Sequence, residues 1–443
     1  MLNYDFLILG GGPGGITSAR TIKRRVSSAK VGVIREQKRS VVPCAMPYAL
    51  NRTIRIEDFL KSDEKFFSSQ GIDLLIDRAE EIDLSTHQVH TASGKRIGFK
   101  KLVYALGANP IRPPIAGADL ERVFTIKDTP DITALDVLFN NAKKLVVVGA
   151  GFIGLEMAMV SRDRGLEVTV VEKLNRCLGK ICTDGIAKKA QQELEEHRVK
   201  LALGRVVQGI EKENHQLYVH LDDSSVLEAD AVIFSIGVKP NVELVKSAGI
   251  KIGELGGIVV DQYMRTSHPD VYAIGDCIQF PHFLTKKPAL GPLATNAVIQ
   301  AKVAGINLTG GERKFAGLLN PAVTRLWKFS YGVVGLTLQQ ALDEGFEPVA
   351  GTCEGHSRHR PFPGSEPFYL SLVFDKKSKR LIGAEAYGNF GVPERIDHLA
   401  YAILHQATAQ ELAETHFCAH PPQSEAPSRM PVVLCAEEAL AKM

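Results

Sequence analysis

The sequence predicts an α/β protein built around two Rossmann-like dinucleotide-binding folds. Three observations predict it. An apolar strand, a G-x-G-x-x-G turn and a helix follow one another twice, in "YDFLILGGGPGGITSAR" and in "KLVVVGAGFIGLEMAMV". Each device is followed, about 20 positions on, by an acidic residue at the end of the next strand. The 443 residues are too many for one core, so two or three domains are expected.

Composition sets the outer bounds. At 45% hydrophobic and 23% charged residues the chain has the make-up of an ordinary globular protein. A net charge of +3 is too small to draw it to nucleic acid or to a membrane surface. The start, "MLNYDFLILGGGPGG", has no basic region and runs straight from strand to turn, so no secretory leader is expected. The longest apolar run, "LVVVGAGFIGLEMAMV", is broken by glycines and Glu156 and is too short to span a bilayer. Seven cysteines, with no C-x-x-C pair and no zinc-like spacing, predict thiols in a reducing cytoplasm and no metal site.

The first device carries Gly10, Gly12 and Gly15, with Pro13 opening the helix. Such a turn points backbone N–H groups and the positive end of a helix dipole at a pyrophosphate. Laying "KVGVIRE" on "EVTVVEK" puts Arg35 where the ribose-binding carboxylate belongs, and Glu36 one residue later. The expectation is that Glu36, 21 residues after Gly15, takes that role. The second device carries Gly149, Gly151 and Gly154, and Glu172 follows Gly154 by 18 residues. A carboxylate there favours NAD over NADP, because a 2′-phosphate would face it; Lys173 and Arg176 beside it leave NADPH open.

Between the two devices lies "SVVPCAMPYAL", with Cys44 between Pro43 and Pro47. Pro43 cannot occupy a helix interior, so a helix is expected to begin at Cys44 and to hold the sulfur in its first turn. A thiol at a helix N-terminus is populated as thiolate, the nucleophilic form.

Together these features make the chain resemble the pyridine nucleotide-disulfide oxidoreductase family over nearly its whole length. The resemblance implies an FAD domain at residues 1–112 and 241–318, an NAD domain at 113–240, and a C-terminal α+β dimerisation domain at 319–443. It rests also on "TSHPDVYAIGDCIQF", which is similar to the family's second FAD fingerprint with Asp276 on the ribityl chain, and on "YALGANP", similar to its crossover linker. A loop enters a helix at Leu293–Asn296, whose N-terminus would face the flavin. On this pattern the dinucleotide contacts fall on Gly10, Gly12, Pro13, Gly15, Glu36, Ser40, Pro43, Gly107, Gly149, Gly151, Ile153, Gly154, Glu156, Glu172, Gly237, Asp276, Leu293 and Ala294.

Cys44 has no partner at C-x4-C spacing, so the segment resembles the single-cysteine branch of the family. That branch implies tightly held FAD, exchanging NADH, and reduction of a persulfide, polysulfide or coenzyme A disulfide by a homodimer. "AHPPQSEA" is similar to the H-P-x-x-S-E element in which a partner's histidine, here His420 oriented by Glu425, supplies the proton. "PFPG" and Gln423 stand where coenzyme A disulfide reductases carry tyrosines, which favours a smaller sulfur acceptor, with CoA open as substrate or ligand. Cys418 reads as an inert thiol or as a second thiol facing the partner's Cys44. His356, Arg358, His359 and Arg360 read as a solvated loop or as a seat for an anionic substrate. Cys177, Cys182, Cys277, Cys353 and Cys435 carry no assigned role. The rival readings are an NADH oxidase or peroxidase, weakened because "GGGPGG" holds no histidine, and a redox-sensing flavoprotein that binds a protein partner.

Overall fold

The structure, a computed structural model, describes residues 2–59 and 63–443. The chain divides into two compact units, Met1–Ile111 with Lys127–Pro130 and Gly237–Leu318, and Arg112–Ile126 with Asp131–Ile236 and Leu319–Met443.

The first unit is built on a parallel sheet. β1 (Leu2–Leu9) lies between β2 (Val31–Arg35) and the strand Arg96–Tyr104, in registers that bring Leu9 opposite both Ile34 and Tyr104. The short strand Val271–Ala273 extends the sheet beyond Arg96–Tyr104. Leu7, Ile8 and Leu9 are all fully buried, as a strand covered on both faces requires. α1 (Pro13–Arg25) starts with proline in its first turn and ends on Lys23, Arg24 and Arg25, which complement the helix dipole. It packs along the helix Ala294–Leu308, and together they cover one face of the sheet.

The second unit repeats the device. β3 (Lys144–Val148), α2 (Phe152–Asp163) and β4 (Glu167–Glu172) form the core of a parallel five-stranded sheet, with Lys200–Leu203, Ala231–Phe234 and Val123–Thr125. A three-stranded antiparallel sheet, Val207–Glu213, Gln216–Leu221 and Val226–Ala229, is attached. The same unit holds a five-stranded antiparallel sheet in which β5 (Pro348–His356) forms one edge beside β6 (Pro367–Asp375). The helix Val392–Leu404 and α3 (Pro431–Lys442) pack on it.

Buried polar groups tie that sheet to the helix Asp184–Glu196 of the same unit. Glu193, 5% exposed, accepts the Tyr331 hydroxyl at 2.6 Å and the N–H of Lys328 at 3.0 Å. Glu385 accepts the N–H and hydroxyl of Thr183, and Trp327 stacks on His197 at 3.7 Å. Among the described residues, no helix is long and apolar enough to cross a membrane. The fold is the expected one, two Rossmann-type folds with a C-terminal α+β sheet domain.

Candidate active site

Both glycine turns share one geometry. Gly10 and Gly149 have φ of 108° and 105°, a left-handed backbone that favours glycine, and a side chain on either would run into a carbonyl of a neighbouring strand. Gly15 and Gly154 let the helix sit on the carbonyl of that first glycine. Gly12 and Gly151 are the helix N-caps, have no side-chain cap, and face open space on the side where a Cβ would stand. Uncapped N–H groups beside open space form an anion cradle, and both cradles fit a pyrophosphate.

In the first unit several segments converge on that cradle. Gly10 abuts Ala105 and Leu106, and Gly14 lies against Ile274 and Ala297. Gly107 has φ of 66°, and its carbonyl accepts the Asn241 N–H at 2.9 Å. The Gly275 N–H donates to Gln300 at 2.7 Å, seating the Asp276 loop against the helix Ala294–Leu308. Burial raises the Asp276 carboxyl above the usual carboxylate range. A half-buried carboxylate next to a glycine cradle suits a polyol chain. Leu293 caps the helix Ala294–Leu308 without a side-chain bond.

Register places Arg35, not Glu36, at the position of Glu172. The Gly10 and Gly149 N–H groups bond the carbonyls of Ile34 and Val171, the residues just before Arg35 and Glu172. Arg35 is 4% exposed, lies against Gly11, and donates to the Lys38 carbonyl at 2.7 Å. Glu36, one residue on, is exposed. In the second unit the Glu172 carboxylate accepts the Ala150 N–H at 2.8 Å and the Leu174 N–H at 2.9 Å. Ile153 is 53% exposed at the start of α2. One turn further, Glu156 accepts the Thr324 hydroxyl at 2.6 Å, and burial holds its carboxyl above the ordinary range. Gly237 has φ of 110°.

Cys44 is exposed on a segment whose neighbours are anchored: Ser40, Met46, Pro47 and Leu50 are buried. The expected helix start at Cys44 is corrected. Pro43–Ala45 form a 3-10 turn, and the α-helix runs over Met46–Leu50. Pro47 has no N–H to offer the Pro43 carbonyl, so the Met46 N–H closes that turn instead, three residues back.

The C-terminal element brings a second correction. His420 is exposed, its N–H donating to the Ser424 hydroxyl at 2.9 Å. Glu425 does not orient that imidazole. It is 3% exposed, accepts the His356 N–H at 3.0 Å and the Ala426 N–H at 2.9 Å, and stands 3.8 Å from His356 Nδ1. The end of β5 has claimed the carboxylate. The His359 N–H donates to the Pro421 carbonyl at 3.1 Å, so the basic loop and the His420 turn form one structure. Cys418 is exposed.

One basic feature escaped the sequence reading. Arg24 and Arg25 at the end of α1, with Lys302 and Arg313, line a cavity of about 280 Å³ that Thr21 and Ile306 complete. Its only signal was the "TIKRR" ending of α1.

Comparison with known proteins agrees with this architecture. The family described as pyridine nucleotide-disulphide oxidoreductase matches residues 4–301, and that family's dimerisation domain matches residues 323–431. The chain is 35% identical over 447 residues to a protein named NADH oxidase from Methanocaldococcus jannaschii, with 99% of each covered. It is 33% identical over 423 residues to a protein named NAD(P)H sulfur oxidoreductase (CoA-dependent) from Pyrococcus furiosus, covering 94% of this chain and 95% of the other. The solved structure of a NAD-dependent persulfide reductase from A. fulgidus superposes with a TM-score of 0.95 at 31% identity, covering 100% of this chain and 83% of the other.

Proposed function

The chain belongs to the pyridine nucleotide-disulphide oxidoreductase family, and we propose that within it the protein is an FAD-dependent NAD(P)H reductase of persulfides, polysulfides or CoA-type disulfides. The observation that carries this reading is the exposed Cys44 thiol, held by buried neighbours in the unit that bears the flavin-type cradle. Residues 1–112 and 241–318 then hold FAD, 113–240 hold the nicotinamide dinucleotide, and 319–443 form the dimer. Gly10, Gly12, Gly15, Asp276 and the N-terminus at Leu293–Ala294 are the residues that would hold the flavin; Gly149, Gly151, Gly154 and Glu172 would hold NAD(P)H. Bound there, the flavin supplies the two-electron link between NAD(P)H and sulfur.

The chain's own residues do the sulfur chemistry. The Cys44 thiolate attacks the outer sulfur of the acceptor, forming a new S–S bond as the old one breaks. The departing hydrosulfide or thiolate takes a proton from the partner subunit's His420, whose turn the buried Glu425 holds through the end of β5. Two electrons that originate in NAD(P)H return Cys44 to its thiolate and release the captured sulfur, as sulfide from a persulfide or polysulfide and as a thiol from a disulfide. The four cationic side chains around the cavity at the end of α1 support an acceptor or carrier that bears phosphates, as CoA does.

Replacing Cys44 by Ser tests the proposal. Sulfide release from persulfide or polysulfide should vanish, while the flavin stays bound and NADH still bleaches it. Undiminished sulfide release sinks the proposal. The oxygen-reducing reading, favoured by the name of the M. jannaschii relative, is supported instead if NADH-dependent oxygen uptake persists at full rate in the same variant.

A further inference from the structure

The C-terminal sheet carries two thiols that the sulfur chemistry above does not use. Cys353 lies on β5 and Cys435 on α3. The α3 backbone rests directly on β5 at Gly351, where any side chain would run into the Cys435 carbonyl. Gly351 and Cys353, two residues apart on a strand, share one face, and that face meets α3. The Cys435 thiol donates to the Leu370 carbonyl at 3.4 Å, and Leu370 is the residue opposite Cys353 in the β5–β6 register.

The two side chains are neighbours on that shared face. That contact holds Cys353 below the usual thiol range, and burial pushes Cys435 above it. Cys435 is fully buried, whereas Cys353 is 7% exposed, an opening that suits a very small oxidant. Elsewhere in the chain, burial pushes Cys177 and Cys277 each up to about 12, and the Cys277 thiol donates to the Ile274 carbonyl at 3.1 Å.

We propose that Cys353 and Cys435 are a peroxide-oxidisable dithiol that closes into a disulfide and latches α3 onto the sheet. Hydrogen peroxide oxidises the Cys353 sulfur to sulfenic acid and is itself reduced to water. The Cys435 sulfur then attacks that sulfur, the S–O bond breaks, and the thiol proton leaves with the hydroxide as a second water. One peroxide is consumed for one disulfide, and a thiol reductant reverses the closure. The bond joins residues far apart in sequence, so it constrains the unfolded chain and should raise Tm by roughly 5 °C.

The experiment exposes the holoprotein to hydrogen peroxide, blocks remaining thiols under denaturing conditions and maps the peptides by mass spectrometry. The expected result is a Cys353–Cys435 linked peptide pair, reversed by dithiothreitol and accompanied by the Tm rise. Cys435→Ala should lose both the linked pair and the rise. Both thiols alkylated in full at a peroxide dose that oxidises Cys44 overturns the proposal, and so does Cys353 linked to any other cysteine. The unsubstituted protein carries the decisive reading, so misfolding of the variant does not shield the idea.

Discussion

Cofactor choice should turn on one carboxylate. Glu172 ends β4 with each oxygen already holding one backbone N–H, from Ala150 at 2.8 Å and from Leu174 at 2.9 Å. One lone pair on each oxygen remains for the two ribose hydroxyls of NADH. Glu172→Gln keeps an acceptor but loses the charge, so two charge-assisted bonds weaken by about 1 kcal/mol each. NADPH changes the other way. Its 2′-phosphate carries nearly two negative charges, and relief from a carboxylate about 4 Å away is worth about 1 kcal/mol per charge even at the dielectric of water. The two effects sum to about 4 kcal/mol of selectivity, a several-hundred-fold fall in the ratio of kcat/KM for NADH to that for NADPH at 1.4 kcal/mol per tenfold. Steady-state rates with both dinucleotides measure it, and the absorbance of bound flavin should not change, because the flavin cradle belongs to the other unit. A ratio that moves less than about fivefold refutes the assignment of Glu172 to the ribose.

Other substitutions probe other groups. Thr324→Val removes the hydroxyl that favours the ionised form of Glu156, already raised by burial, so the Glu156 limb of a pH profile for NADH-driven flavin reduction should move to still higher pH. Because folding favours the protonated form, the contribution of Glu156 to stability is present below about 4.5 and lost as pH rises through its raised value; a Thr324→Val protein should therefore lose more stability at alkaline than at acidic pH. Tyr331→Phe strips the hydroxyl donor from buried Glu193 and should cost about 1.5–3 kcal/mol in urea unfolding; a loss under about 0.5 kcal/mol would mean that water replaces the hydroxyl. Replacing Arg24 and Lys302 together by Glu should raise KM for a CoA-bearing acceptor by tenfold or more, with an effect that shrinks in salt and spares inorganic polysulfide; equal losses on both acceptors would remove the cavity from phosphate recognition.

What the sequence carried and what it hid divide by range. The glycine turns were legible because their constraint is local: a positive φ at Gly10 and Gly149, and a helix that must sit on the carbonyl before it. The place of Glu172 at the end of β4 was legible for the same reason, since helix, turn and strand fix its distance from Gly154. The 3-10 start at Pro43 was locally encoded too, in Pro47, but needs the hydrogen-bond pattern to be written out. The Glu425 contact with His356 was not legible. It joins residues 69 apart through the edge of a sheet whose register no local pattern reveals. The Thr324 bond to Glu156 spans 168 residues and failed for the same reason. The basic cavity needs α1 and the helix Ala294–Leu308 side by side, and each alone reads as a solvated helix with a few cations.

On the proposed assignment the two cradles impose different lives on their ligands. Their three motif glycines match in position and conformation, so the difference lies in what else arrives. Around Gly10–Gly15 the backbone at Ala105–Leu106, the Ile274–Asp276 loop and the helix at Ala297 all come within van der Waals reach of the turn or of each other. A dinucleotide lying along those segments touches protein well beyond its pyrophosphate, and release requires many contacts to break together. Such a ligand dissociates slowly and behaves as a resident group. The second turn has Ser235 beneath it and Glu172 at its side, with Ile153 53% exposed at its rim. A dinucleotide there is held chiefly by pyrophosphate and ribose, which suits a substrate that must leave in every cycle. One anion cradle occurs twice in the chain; on the proposed assignment, the segments around the first separate a cofactor from a substrate.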